Sequence, residues 1–478
     1  MNSYVKKYIL SVVNTISLLF FPLITFPYVS RVLEPTYLGI INFVQSYGYY
    51  FLHIACFGIN SYAIREVSRL RNKKQIVHKL CNEIFNLNLF FSIFAFILYF
   101  IGVILIQNFR DNFAVFFIYS IVILSNFLSL EWILQSYEDY LFSTIINVLV
   151  RIFSIIAIFF VINKSTDYVY YMWITCLTEI SVKLSTLWYC RKKYVRLQIK
   201  IIFLNFRKHF VSLFTLFIYR LINGISAHLD RLMIGFMLVY SSVGIYTVGV
   251  KIILLLQGLI ETVGIVLFAK INISATLSKE EYNTNLIINY NLILLIGIPS
   301  SLGLFLISER LIPLIAGNAY HEAISVSRLM SIIILLGAIS DLLGSKVLLV
   351  WKKDKILLYC SILVAFSNIL LNYILIQIWG VKGAALASTL SVSVALFSRY
   401  FFARKFINFN LFCSNIAKYT LFSVPFIIFY LLFKKYIDTN NIIMFVFVIF
   451  CTLIYIIELK IFKDDFARTI MSKVFYRK

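Results

Sequence analysis

The sequence predicts an all-α, polytopic membrane protein of about 14 transmembrane helices. They form two six-helix lobes plus an extra C-terminal helix pair. Three observations carry this expectation. Of 478 residues, 61% are hydrophobic and 14% charged, with a mean hydropathy of +0.90; soluble domains carry about 25% charged residues. Apolar runs of about 18 residues or more recur along the whole length, each long enough to cross a bilayer as helix. The runs do not alternate with a period of two, as the strands of a membrane β-barrel would.

The elements follow in order. Lys6 and Lys7 precede the first run, as in a signal peptide. The run continues past Phe20 to about Val29 without a small-residue cleavage site, so an uncleaved helix is expected over 8–30. R-V-L-E-P-T-Y-L-G, residues 31–39, interrupts it. Pro35 rigidifies a turn, and Gly39 permits tight entry to the second span, 37–64. Spans three to six fall at 82–106, 113–135, 142–162 and 168–190. The longest basic loop, 191–208, divides the chain. Spans seven to twelve fall at 210–238, 243–269, 286–308, 325–350, 356–377 and 382–402, and a last pair at 416–433 and 441–459. The expected domains are 1–208 and 209–408, each of six helices, then 409–478 with the extra pair and a basic tail.

Charge orients these spans. The formal net charge is +23, and loop charge accounts for it without a nucleic-acid partner. With the N-terminus inside, one loop on that side holds Arg65, Arg69, Arg71, Lys73, Lys74 and Lys79. Others hold Arg191 to Lys208, then Lys352, Lys353 and Lys355, then Arg404 and Lys405. Over all loops roughly 28 basic residues fall inside and roughly 7 outside, so both termini are expected in the cytoplasm. The seven cysteines form no C-x-x-C and mostly sit within spans as small apolar residues, so neither a disulfide nor a metal site is expected. There is no P-loop, no H-E-x-x-H and no G-x-S-x-G. No cofactor is expected, and a transporter is favoured over an enzyme.

The two halves begin alike. R-V-L-E-P-T-Y-L-G-I-I-N joins spans one and two; D-R-L-M-I-G-F-M-L-V-Y-S-S-V-G-I-Y joins spans seven and eight. At an offset of 205, Leu33 meets Leu238, Gly39 meets Gly244 and Ile40 meets Ile245. Parallel repeats of this kind place a transporter's binding site at the repeat interface.

Charged residues inside a bilayer face the bundle interior or a water-filled cavity, so their distribution points to the site. Span seven carries Arg220, Asn223, His228, Asp230 and Arg231. Arg220 and Arg231 share a face to about 20°, as do Asn223 and Asp230. Span eight adds Lys251 and Glu261. Asn42, Ser46, Tyr49, His53 and Asn60 share one face of span two, and Ser11, Asn14 and Thr25 one face of span one. These stripes would line a central, net-cationic cavity: Arg220, Arg231 and Lys251 as anion-binding groups, Asn14, Asn42, Tyr49, His53, Asn60, Asn223 and His228 as polar lining. Asp230 and Glu261 are candidates for ion coupling. Arg151, Glu179 and Lys183 in spans five and six would form an internal ion pair, and Asp341 and Lys346 sit in span ten.

The residues also carry a resemblance. R-V-L-E-P-T-Y-L-G-I-I-N-F-V-Q-S and F-G-I-N-S-Y-A-I-R-E-V-S (57–68) resemble the N-terminal signature of bacterial Wzx-type polysaccharide biosynthesis proteins. D-R-L-M-I-G and V-G-I-Y-T-V (230–248) resemble the start of their second half. N-Y-I-L-I-Q-I-W-G-V-K-G-A-A-L-A-S-T (372–389) is similar to a segment of the wider multidrug/oligosaccharidyl-lipid/polysaccharide (MOP) exporter superfamily. Span one lacks the membrane-embedded carboxylate usual in the multidrug branch. The resemblance implies a flippase of the bacterial cytoplasmic (inner) membrane. Its cargo would be undecaprenyl-diphosphate-linked oligosaccharide for capsule or O-antigen assembly, moved by ion-coupled alternating access, with a polysaccharide polymerase as a candidate partner. The residues fit: Arg suits a diphosphate, and the polar and aromatic lining suits sugars. Two alternatives stay open, a cation-coupled multidrug or small-molecule antiporter of the same fold and a membrane-bound polysaccharide polymerase or ligase.

Overall fold

The computed structural model describes residues 3–199, 206–407 and 410–462. Their side chains are described except at 3–20, 206–208, 219–220, 222–223, 225–227, 262–277, 279, 410–414 and 438. The chain groups into two compact units, Met1–Gly244 and Ile245–Lys478. Among the described residues every regular element is helical.

In the first unit, α1 (Ser3–Cys56) contains both of the first two expected spans as two legs meeting at Glu34, whose φ of 58° and ψ of 171° leave the helix. Pro35 supplies the cause. A residue before proline is pushed out of the helical region, while proline itself suits the first turn of the next leg. The second leg ends at Cys56 because Phe57 and Gly58 take φ of 37° and 72°. The chain resumes as α2 (Ile59–Leu70), which buries Ile59, Tyr62, Ala63 and Val67 and presents Arg65 and Arg69 outward. The expected second span is therefore too long. Asn60 lies beyond the break, on a different helix from Tyr49 and His53, because a helical period reads straight through a two-residue interruption.

The unit continues with α3 (Lys74–Leu105), α4 (Gln107–Arg110), α5 (Phe113–Leu124), α6 (Glu131–Ser136), α7 (Tyr140–Val161), α8 (Tyr168–Lys193) and α9 (Phe206–Met237). Tyr99, Trp132, Phe43, Phe109 and Phe116 are its largest fully buried side chains. At the turn before α7, one oxygen of Asp139 accepts from Lys193 Nζ at 2.7 Å, Tyr189 Oη at 2.8 Å and Tyr194 Oη at 2.7 Å. Partial burial works against the Asp139 charge, but those three donors outweigh it and hold the carboxyl below its ordinary range.

Helix α10 (Tyr240–Leu277) starts in the first unit and runs into the second. There α11 (Lys279–Ala316) is capped by Ser278, whose Oγ accepts from the Glu281 N–H at 3.1 Å. Next come α12 (Ala323–Met330) and α13 (Ile333–Asp341), the latter followed by a π-helical segment, Leu342–Leu348. Helix α14 (Asp354–Ala403) breaks at Gly380, φ 56° and ψ −130°. A Cβ on Gly383 would collide with the Leu375 carbonyl, so the chain doubles back here and its two legs match two expected spans. The last pair, α15 (Asn410–Thr439) and α16 (Asn441–Ile461), is tied to α11. Asn415 Nδ2 donates to Asn291 Oδ1 at 2.8 Å and Tyr455 Oη to the Leu295 carbonyl at 3.1 Å.

The expected spans fall largely on helix, the second, fourth and tenth being interrupted at Phe57–Gly58, Ser129–Leu130 and Ser331–Ile332. Among the described residues eight helices are individually long and apolar enough to cross a membrane, nine if α12 and α13 with its π-helical extension are one bent span. Phe153, Phe160, Phe366, Phe397 and Leu431 are each more than 60% exposed, a surface that suits lipid and not water.

Candidate functional site

In the first unit, the second leg of α1 and the C-terminal half of α9 bring polar side chains together. Tyr49 stacks on His228, ring centroids 3.9 Å apart at 26°, and meets His53 edge-on at 4.4 Å. His228 Nδ1 is 3.2 Å from Ser46 Oγ and 3.5 Å from Arg231 Nη1. Both contacts reach one nitrogen. A guanidinium can only donate, so that nitrogen is the acceptor and the ring is neutral in this arrangement, with its proton on Nε2. Ser46, Tyr49 and His53 recur at three- and four-residue steps on α1, as do Gly224, His228 and Arg231 on α9, so each set shares a face.

Gly224 is a participant that charge reading passes over. A Cβ there would stand 2.9 Å from Tyr49 Oη and 3.3 Å from His53 Nε2. The missing side chain is what admits the tyrosine. Its only signal in the sequence is a glycine in step with His228 and Arg231.

The other expected residues divide. Asp230 is buried on α9 beside Arg231. Asn42 is turned along its own helix, its amide donating to the Leu38 carbonyl at 2.7 Å. The side chains of Asn14, Arg220 and Asn223 lie outside the described residues. Lys251 and Glu261 belong to the second unit, on α10.

Two further polar cavities are present. In the first unit Glu131, Asn147, Arg151, Glu179 and Lys183 line a space of about 220 Å³. Of the three residues expected to form an internal ion pair there, Arg151, Glu179 and Lys183, the last donates its Nζ to the Val122 carbonyl and Ser125 Oγ, each at 3.3 Å. Those oxygens sit at the α5 terminus, where a helix leaves carbonyls unpaired and attracts a cation. In the second unit Glu261, Asn289, Asp341 and Lys346 line a space of about 210 Å³. No group of three or more His, Cys, Asp or Glu suited to a metal ion occurs among the described residues.

A family described as "Polysaccharide biosynthesis protein" matches residues 5–269, more than half of the chain. The putative O-antigen transporter of Escherichia coli (strain K12) is 24% identical over 373 residues, 76% of this chain and 88% of that protein. Among solved structures, the lipid II flippase MurJ in an inward closed conformation superposes with a TM-score of 0.77 at 19% identity, covering 96% of this chain and 99% of that one. An inward-facing multidrug resistance MATE transporter of the MOP superfamily gives 0.58 at 11% identity, covering 80% and 94%. At such identities the structural likeness speaks to the fold.

Proposed function

The chain belongs to the polysaccharide biosynthesis protein family, as a Wzx-type member of the MOP exporter superfamily, and we propose that it flips undecaprenyl-diphosphate-linked oligosaccharide from the inner to the outer leaflet of the cytoplasmic membrane. Transport, not catalysis, is the activity its relatives' names carry, an O-antigen transporter and a lipid II flippase.

One observation carries the reading. Arg231 sits within the bundle beside a Tyr49–His228 stack, which offers a cation for a phosphate and an aromatic face for a sugar. Arginine meets phosphate through charge-assisted, often bidentate, bonds. Lys251, in the second unit, is a further cationic candidate for the cargo path, as are Asn14, Asn42, Asn60, Arg220 and Asn223. Alternating access moves the lipid-linked head, with both termini cytoplasmic. The buried Asp230 is the assigned point of coupling to a cation gradient.

The test is surface polysaccharide in cells whose own gene is deleted and replaced by variants. Arg231→Ala, inserted in the membrane at normal level, lowers surface polymer about tenfold, the value of a charge-assisted hydrogen bond of about 1.5–3 kcal/mol; Lys251→Ala acts in the same direction. Undiminished polymer in both variants removes the assignment.

A further inference from the structure

The cavity between α10, α11 and α13 contains groups that the Arg231 site does not use. Glu261 enters it from α10, Asn289 and Ile293 from α11, Asp341 from the end of α13, Leu342 and Lys346 from the π-helical segment. Five residues apart on an α-helix, Asp341 and Lys346 would point about 140° apart. The wider π turn, which pairs residues five apart, brings Lys346 Nζ to 3.8 Å from Asp341 Oδ2. Ser345 Oγ donates to the same oxygen at 3.1 Å. Asn289 is 1% exposed, and its amide Nδ2 meets no acceptor.

We propose that this cavity holds one neutral sugar residue of the transported oligosaccharide and rejects uronic acids. Four features argue for a sugar over an inorganic cation. An ammonium already stands beside Asp341 and would repel a cation. The unmet Asn289 group is a donor, which a cation cannot satisfy. A sugar hydroxyl both donates and accepts, so it can answer the two carboxylates, the amide and the ammonium together. The space, about 210 Å³, is smaller than the sites of drug-sized ligands, about 300–1,000 Å³, which restricts it to a single ring, and Ile293 and Leu342 give the C–H face of that ring an apolar patch. Selectivity follows from charge. Two carboxylates against one ammonium leave the site net negative, which disfavours a third carboxylate on the ligand.

The ligand class rests on the flippase reading, but binding can be measured without transport. Full-length protein in nanodiscs of phosphatidylethanolamine and phosphatidylglycerol is probed by saturation-transfer NMR with galactose, N-acetylglucosamine and glucuronate. The neutral sugars receive transfer and glucuronate does not. Asn289→Leu weakens binding of the neutral sugars about tenfold, while Glu322→Gln, on the exposed turn before α12, leaves it unchanged. Glu261→Gln with Asp341→Asn removes two negative charges and admits glucuronate, a gain that misfolding cannot imitate. The proposal is overturned if no sugar receives transfer on the wild type, if transfer survives Asn289→Leu, or if wild type takes glucuronate equally. Surface polymer measured with the same chains separates the two readings. Export without sugar transfer overturns this site alone, and transfer without any dependence of export on the protein overturns the flippase reading alone.

Discussion

Gly224 and Glu34 both owe their roles to backbone, and each has a local cause. At Gly224 the requirement is space: the stacked Tyr49 ring places its hydroxyl where a Cβ would be only 2.9 Å away. Gly224→Ala should force the ring off His228 and lower surface polymer several-fold at unchanged expression. Tyr49→Phe, which deletes the clashing oxygen, should restore most of that loss in the double variant. If Gly224→Ala exports as well as wild type, the stack is not part of the path. Glu34 stands at φ 58°, ψ 171°, in a region that belongs almost to glycine alone; the Pro35 ring excludes the helical alternative and so accounts for the break, but not for the sign of φ. Much of this site was readable in advance. Tyr49, His53, His228 and Arg231 announce themselves as polar residues in helical step within apolar runs. Gly224 does not, since an absent side chain leaves no chemical signature, and Asn60 was misassigned because Phe57, the residue that starts the break, gives no warning of a positive φ.

At the scale of elements, the alignment of the two half-starts turns out to be a contact. Pro35 and Tyr240 each open a helical leg, separated by the offset of 205 that also relates Gly39 to Gly244. A Cβ on Gly39 would strike the Tyr240 carbonyl, and a Cβ on Gly244 would strike the Pro35 carbonyl. The two glycines thus let two helix starts meet backbone to backbone in a reciprocal arrangement. Packing of this kind matters inside a bilayer, where lipid is as apolar as the helices and close approach supplies the attraction. Gly39→Ala and Gly244→Ala should each lower the melting temperature of the detergent-purified protein, with about 1–3 kcal/mol lost to overpacking. Because both wedges open the same seam, the double variant should lose clearly less than the sum of the singles. A fully additive double variant would mean that the two contacts are independent. The match was legible in the sequence as aligned letters. The contact between the matched positions was not, because an alignment says nothing about which equivalent positions touch.

Over the whole molecule, hydropathy sets the expected number of helical legs and charge their expected direction. The legs of α1 were separable in advance because Glu34-Pro35 is a recognisable interruption, and those of α14 because the expected spans 356–377 and 382–402 leave a gap, in which Gly380 lies. Direction rests on the excess of Lys and Arg in alternate loops, a bias that retains short basic loops in the cytoplasm. Two turns test it. Thr166 lies exposed in the turn between α7 and α8, in a loop expected outside; Lys355 is exposed at the start of α14, in a loop expected inside. Wild-type background should be low, since the described cysteines are buried apart from the half-buried Cys56; Cys413→Ser removes the remaining thiol whose side chain is not described. On that background a membrane-impermeant maleimide should label Thr166→Cys in intact cells. Lys355→Cys should be labelled only after the membrane is permeabilised. The reverse pattern would invert the chain, putting the 191–208 loop outside and the cargo entry on the wrong leaflet. Labelling of both in intact cells would mean that the number of crossings between them is even, which the alternation of basic loops does not allow.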